Sequence, residues 1–292
     1  MNIDTPITQL TPPGRKKMTV EYPWPDVVIP PYKAGEYGRW KIAQTPVHVA
    51  TAYWIPMERN PPGFALYEKK MGRWGSRPWM SFTAMERQSH MPHIAAAHGH
   101  VCVIGLGLGM AIFNMIKKPE VLTVSVLEKN KQVIKLFEEH SGYKDWDCAD
   151  KIVSIHEGDA LFQPKWEGEF DSLFVDMWFA LGEAHALADV QTICQSIKAK
   201  SVGYWGQELD FVRWMTAEHR LPASLEPDIL AEEYKQFAIA SGLPLIGQGD
   251  PKYAVLAMCA QVFQAAHAIR LTAPAKSGEL LKRGLTLIGV MK

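Results

Sequence analysis

The sequence predicts an α/β fold: a Rossmann-like, doubly wound, mostly parallel sheet, with a small N-terminal β-rich domain before it and helices after it. Three observations predict this. From about His98 to Glu208, short β-rich apolar runs alternate with helical periodicity, the spacing that parallel βαβ units impose. A glycine-rich bend, Gly105-Leu106-Gly107-Leu108-Gly109, follows a buried-strand run directly. Upstream, as far as about Pro78, the chain is rich in proline, aromatics and short alternating runs, whereas from Leu209 onward the pattern is helical.

The elements follow in order. The first thirty or so residues carry enough prolines to read as an extended arm. Gly38 to Ala43 and Phe64 to Glu68 read as strands, separated by turn material such as Asn60-Pro61-Pro62-Gly63. Met80 to Ala97 reads as a turn and then a helix disturbed at Pro92, which lacks the amide that a helix interior needs. Strands are expected at Val101–Ile104, Leu122–Leu127, Ile152–His156, Ser172–Val175 and Val202–Trp205. Helices are expected between them at Met110–Lys117, Lys131–His140 and Val190–Ala199. Beyond them, Leu209–His219, Pro227–Ser241 and Tyr253–Ile269 read as helices punctuated by Pro222, Pro244 and Pro251. Residues 1–90 are thus expected to form the arm and β-rich domain, 91–208 the Rossmann-like domain, and 209–292 a helical region.

Composition bounds the function. The chain has 292 residues, 47% hydrophobic and 21% charged, enough to bury a sizeable core. Lys plus Arg equals Asp plus Glu, at 31 each, so no overall charge marks it for nucleic acid or an anionic membrane; neither partner is expected. Cys102, Cys148, Cys194 and Cys259 are widely spaced with no CxxC pair, which argues against a disulfide framework or a thiolate zinc site. The N-terminus lacks a signal-peptide pattern, and the longest apolar run, Val101 to Ile116, is broken by glycines and shorter than the roughly 20 residues a bilayer demands. A cytoplasmic protein is expected. Ten tryptophans, mostly outside the expected central sheet, suit packing of the first domain or a homodimer surface.

The chemistry is expected at the carboxyl ends of the strands, where open α/β sheets bind ligands. Gly105, Gly107 and Gly109 let the backbone turn sharply and bring amide groups near a ligand at a helix N-terminus. Glu128 ends the second strand, roughly 20 residues past the bend, where an acidic side chain can accept from ribose hydroxyls. Gly158-Asp159-Ala160 ends the third, where a carboxylate can take an adenine amino group, and Asp176-Met177-Trp178 ends the fourth. Singly, each acid reads equally well as a loop residue, a helix cap or a turn former. In register on successive strands they favour a nucleoside site. Met110 stands where a dinucleotide motif would place glycine or alanine, so a nicotinamide cofactor is disfavoured.

Val103 to Met110, Val126 to Asn130, Glu157 to Ala160 and Phe174 to Asp176 resemble the successive motifs of class I S-adenosylmethionine-dependent methyltransferases, over roughly His98 to Glu208. The resemblance implies that S-adenosyl-L-methionine is the cofactor, held by Gly105, Gly107, Gly109, Glu128, Asp159, Ala160 and Asp176, and that a methyl group passes to a small-molecule acceptor. The layout is most similar to the spermidine synthase-like branch, which places a small β-domain first and an acidic, His- or Tyr-bearing segment before the glycine-loop strand. Thr83 to His90 occupies that place. Two departures disfavour aminopropyl transfer from the decarboxylated cofactor: Leu108 replaces the branch's loop aspartate, and Asp176 lacks its acidic partner. A non-catalytic cofactor-binding protein is the third reading.

Methyl transfer from a sulfonium needs alignment above all, and a base where the acceptor must lose a proton. Asp176 is the candidate base or holder of the cofactor's amino group; Glu86, His90 and Trp178 are candidates on the acceptor side. No metal is expected, because His90, His93, His98 and His100 lack a closed-site spacing and Pro92 interrupts the first pair. Asn60 to Gly63 resembles the Asn-Pro-Pro-aromatic loop of DNA amino-methylating enzymes, with glycine in place of the stacking aromatic.

Overall fold

The computed structural model describes residues 24–50, 52–53, 58–162, 166, 168–217, 226–250, 252–255, 257 and 276. Seven strands come first: β1 (Gly35–Tyr37), β2 (Trp40–Thr45), β3 (His48–Ala50), β4 (Glu58–Asn60), β5 (Gly63–Lys70), β6 (Arg73–Trp74) and β7 (Met80–Ser81). β1, β2, β5 and β6 pair antiparallel in that order, β7 also pairs with β5, and β3 pairs with β4. The two-residue period sets the faces: Trp40 and Ile42 of β2 are buried, while the alternate residues Lys41 and Ala43 are only half-buried. Gly38 lies outside β2. It makes the turn from β1, at φ +61°, because a left-handed backbone suits glycine better than a strand does.

Helix α1 (Ala84–Ala96) runs straight through Pro92 and corrects the expected disturbance. The proline removes one amide donor, but the last turn is held from outside. Lys118 Nζ donates to the carbonyls of Ile94, Ala95 and Ala97, placing a cation at the negative end of the helix.

The main sheet is wholly parallel: β8 (Gly99–Ile104), β9 (Val121–Glu128), β10 (Ile152–Glu157), β11 (Glu169–Val175) and β12 (Lys198–Tyr204), in the order β10-β9-β8-β11-β12. Helices α2 (Met110–Met115), α3 (Lys131–His140), α4 (Ala186–Ser196), α5 (Gln207–Ala217) and α6 (Pro227–Ser241) complete the described elements. Val101 to Ile104 are at most 2% exposed, as expected for a central strand covered on both faces. The direction of winding reverses between β8 and β11, which makes the carboxyl ends of those strands the switch point of the sheet.

Two boundaries move. The helix expected at Val190–Ala199 lies at Ala186–Ser196, and Ala199 is already in β12. Ala186, Val190 and Ile193 form its buried stripe, and the half-exposed start of β12 is too polar to read as a core strand. Within β12, Val202 donates to the Pro244 carbonyl and accepts from the Ile246 amide, a parallel bridge to Leu245. Residues 252–255 and 257 are helical; the rest of the helix expected at Tyr253–Ile269 lies outside the described residues, as does the arm before residue 24. The described end of the arm is tied down by Asn114, which accepts from the Val28 amide at 2.8 Å and donates to its carbonyl at 2.9 Å. No described helix is long and apolar enough to cross a membrane.

Candidate functional site

The ends of β8, β9, β10 and β11 open onto one cavity of about 800 Å³ at the switch point. Gly105, Gly107, Glu128, Asp159, Ala160 and Asp176 line it, together with Glu86 and Trp178. Gly109 and His90 stand behind its wall. Gly109 begins α2 at φ +64°, where a Cβ would lie 2.4 Å from Phe137, and His90 is fully buried.

Glycine is obligatory at the bend. At Gly105 φ is +92°, and a Cβ would sit 1.9 Å from the Asp176 carbonyl oxygen, so only glycine lets the ends of β8 and β11 approach. The loop amides, expected to face a ligand, are engaged within the protein. Leu106 N–H donates to Glu128 Oε2 at 2.9 Å, and the Gly107 amide also supports that carboxylate. Asn130 N–H donates to Glu128 Oε1 at 2.8 Å. Leu108 N–H donates to the Met80 sulfur at 3.0 Å, and Gly109 N–H to the Leu106 carbonyl at 2.7 Å. The bend therefore supplies closeness of approach, while its amides charge and orient Glu128. Burial pushes the Glu128 carboxyl upward, and the amides of Leu106, Asn130 and Gly107 oppose that shift.

At the end of β11, His90 Nε2 lies 2.9 Å from Asp176 Oδ2, and His90 Nδ1 lies 2.6 Å from the Glu86 carbonyl oxygen. A carboxylate and a carbonyl can only accept, so both ring nitrogens donate and the ring is an imidazolium. Burial pulls the His90 pKa down, but the hydrogen bond and charge of Asp176, aided by Glu86, outweigh it and raise it. The ring is packed edge-on against Phe174, with centroids 5.5 Å apart. Burial drives the neighbouring Glu86 carboxyl up to about 8, with His90 lowering it and Asp176 raising it. One cluster thus holds the Asp176 side chain, the His90 ring hydrogen-bonded behind it and a protonated Glu86 beside it.

The outer wall completes the site. Asp159 pairs with Lys129 Nζ at 2.6 Å and accepts from Leu161 N–H at 3.1 Å. Lys129 is 74% exposed, so the pair is weak and a ligand can replace it. Trp178 Nε1 donates to Asp189 Oδ2 at 2.9 Å, and His185 Nε2 lies 3.6 Å from the same oxygen. Met80, Asp189 and Trp205 also line the cavity and were not legible as site residues. The one sequence signal for Asp189 is its place in the first turn of the helix after β11. Seven acidic side chains line this space against Arg39, Lys129 and Lys131, and with Glu86 protonated the other six still outnumber the cations, so it favours a cationic guest. No group of His, Cys, Asp and Glu suited to a metal occurs among the described residues.

No family model matches the sequence, and no curated protein does so. Among solved structures, the chain is similar to the spermidine synthase from Thermotoga maritima at 15% identity, over 57% of this chain and 52% of that one, with a TM-score of 0.31. It is also similar to a putative sarcosine dimethylglycine methyltransferase from Galdieria sulphuraria, at 16% identity over 70% and 79%, with a TM-score of 0.32. The likeness to the YcgJ protein of Bacillus subtilis, at 19% identity and a TM-score of 0.26, spans 34% of this chain and 38% of that protein. The match thus spans about half of the spermidine synthase and less of YcgJ. With TM-scores near 0.3, it is the cavity's own residues that bear on function.

Proposed function

We propose that this protein is an S-adenosylmethionine-dependent transferase that methylates a small-molecule acceptor beside Asp176. The observation that carries the reading is the convergence of the glycine bend, Glu128, Asp159-Ala160 and Asp176 on one acid-lined cavity at the switch point. A carboxylate has about four lone-pair sites. The three amides on Glu128 leave room for a ribose hydroxyl, and Asp159 with the Ala160 backbone is available to an adenine edge. The excess of carboxylates suits a guest bearing a sulfonium and an ammonium group.

When bound, S-adenosylmethionine supplies an already activated methyl group. The protein's own part is alignment and proton transfer. His90 holds one oxygen of Asp176, which fixes the carboxylate and leaves the other oxygen to take the acceptor's proton. Protonated Glu86 is a donor that can orient the acceptor. The indoles of Trp79, Trp178 and Trp205 give the cavity apolar wall that limits water.

Aminopropyl transfer from the decarboxylated donor is the second reading, favoured by one feature: Asp189 joins Asp176 in the cavity, giving the pair of carboxylates that a diamine needs. Calorimetry with S-adenosylmethionine, S-adenosylhomocysteine, the decarboxylated donor and NAD separates these. The methyltransferase reading expects the first two to bind and NAD to fail. Preference for the decarboxylated donor supports the second reading, and binding of NAD alone removes both.

A further inference from the structure

Arg39 and Glu68 line the cavity and also line a second, open groove of about 550 Å³ that runs outward over Lys69, Lys70 and the Met71-Gly72 hairpin tip. Strand pairing puts the two spaces side by side, because Trp40 is in register with Glu68 and the β5–β6 hairpin closes the far end. Between them the charge changes sign. Inside, carboxylates prevail. Outside, Arg39, Lys70 and Arg77 gather around Glu68 and Phe179, while Lys41 and Lys69 lie on the opposite, Trp74 face of the hairpin. Zero net charge for the chain conceals this separation.

The groove's one carboxylate is already engaged. Glu68 Oε1 pairs with Arg39 at 2.7 Å and Oε2 with Lys70 at 3.3 Å, yet those two cations remain 63% and 68% exposed. One negative charge between them leaves a surplus facing solvent. The aromatic faces nearby are covered: Lys41 and Lys69 stand 4.5 and 5.4 Å over Trp74, and Lys70 and Arg77 stand 5.7 and 5.2 Å over Phe179. Without an open stacking platform, the surface does not suit single-stranded nucleic acid, which needs one. Phe179 belongs to the same loop as Asp176 and Trp178, so two of these cations flank the acceptor side of the cavity.

We infer that the acceptor is an elongated molecule whose reacting end lies by Asp176 and whose far end carries a phosphate group, seated on Arg39 and Lys70 in the outer groove. The inner end rests on the transferase reading; the anion subsite stands on the groove alone. The test is backbone amide NMR of the full chain titrated with inorganic phosphate, with acetate in parallel. The expected result is saturable shifts at residues 38–41 and 68–73 with phosphate, at least tenfold weaker with acetate. Binding should weaken at least tenfold in a K70E variant and not in K69E, which alters the opposite face of the strand, and the affinity of K70E for S-adenosylhomocysteine stays that of the parent. Shifts that never saturate, that appear equally at remote Lys144 and Lys235, or that survive the charge reversal overturn the subsite. Equal binding of acetate overturns the assignment to phosphate. Saturable phosphate binding in a protein that ignores S-adenosylhomocysteine leaves the subsite standing and removes the transferase reading instead.

Discussion

Asp176 and Glu128 are each held in place by partners distant in sequence. Removing the His90 ring takes from Asp176 the donor that orients it. His90→Gln is therefore expected to lower kcat by about 100-fold, to remove from the basic side of the pH–rate profile the limb that loss of the raised His90 proton gives, and to leave S-adenosylhomocysteine affinity unchanged. A loss of kcat with an unchanged profile would assign His90 to packing. Glu128→Ala should weaken adenosyl-nucleoside binding by about 1–3 kcal/mol. It should also destabilise the fold, because the amides of Leu106 and Asn130 lose their acceptor. Calorimetry and thermal unfolding of the same variant check the two effects, and unchanged affinity refutes the ribose role. The acids themselves were legible because they end successive strands. The identity of their partners was not: His90 lies 86 residues from Asp176, and Met80 meets Leu108 across 28, distances over which periodicity carries no information.

At the scale of elements, the bend between β8 and α2 is the most constrained piece of the chain. Gly105→Ala would place a methyl group against the Asp176 carbonyl in a backbone region that costs an L-residue roughly 1–2 kcal/mol before any clash. The variant is expected to lose folded protein as well as nucleoside binding, measured by circular dichroism melting; a stable, binding-competent variant would show that the strand ends can separate. The same bend was the clearest signal in the sequence, since glycine spacing directly after a buried run leaves few alternatives. The α1 helix was less legible. Pro92 argues locally for an interruption, and what sustains the last turn is Lys118, which the sequence places beyond the next strand. Lys118→Met should therefore cost about 1–2 kcal/mol, visible as a lower denaturation midpoint, although Lys118 is remote from the cavity lining. Edge strands escaped for a different reason. β1 and the start of β12 are half exposed, and their mixed polarity hides the two-residue alternation.

Across the whole molecule, a buried polar cluster ties the β-rich part, α1, α5 and the C-terminal helices together. The Tyr53 hydroxyl donates to Glu208, the Tyr253 hydroxyl lies 3.4 Å from it, and His93 Nε2 lies 4.0 Å away; Gln207 donates to Tyr234 and, at 3.1 Å, to the Ile246 carbonyl. Nothing in the composition announces this cluster, because its members span 200 residues and each alone reads as ordinary surface polarity. Its protonation nevertheless sets a pH dependence for the fold. Burial pushes the Glu208 carboxyl up to about 7, opposed by the Tyr53 and Tyr253 hydrogen bonds and helped by Asp210, and Glu86 reaches about 8. Both titrate near 4.3 when unfolded. Between those values the native state holds protons that the unfolded chain has lost, so stability falls as pH rises. His93 acts with the opposite sign. Burial, with the charge of His90, holds it at about 3, so below its unfolded value near 6.5 the unfolded chain binds the extra proton and stability falls with acid. Two carboxyls outweigh one imidazole between about 4.5 and 6.5, so stability peaks near the acid end of that window, declines gently across it and falls more steeply above it. Tm is expected to drop by about 4 °C from pH 6.5 to 8.5. Glu208→Gln keeps an acceptor for the tyrosines but has no proton to lose, so it should flatten the part of the decline below pH 8. A variant that melts in parallel with the parent across this range would mean that Glu208 is already ionised in the native protein, with Tyr53 and Tyr253 supplying the solvation that burial removes.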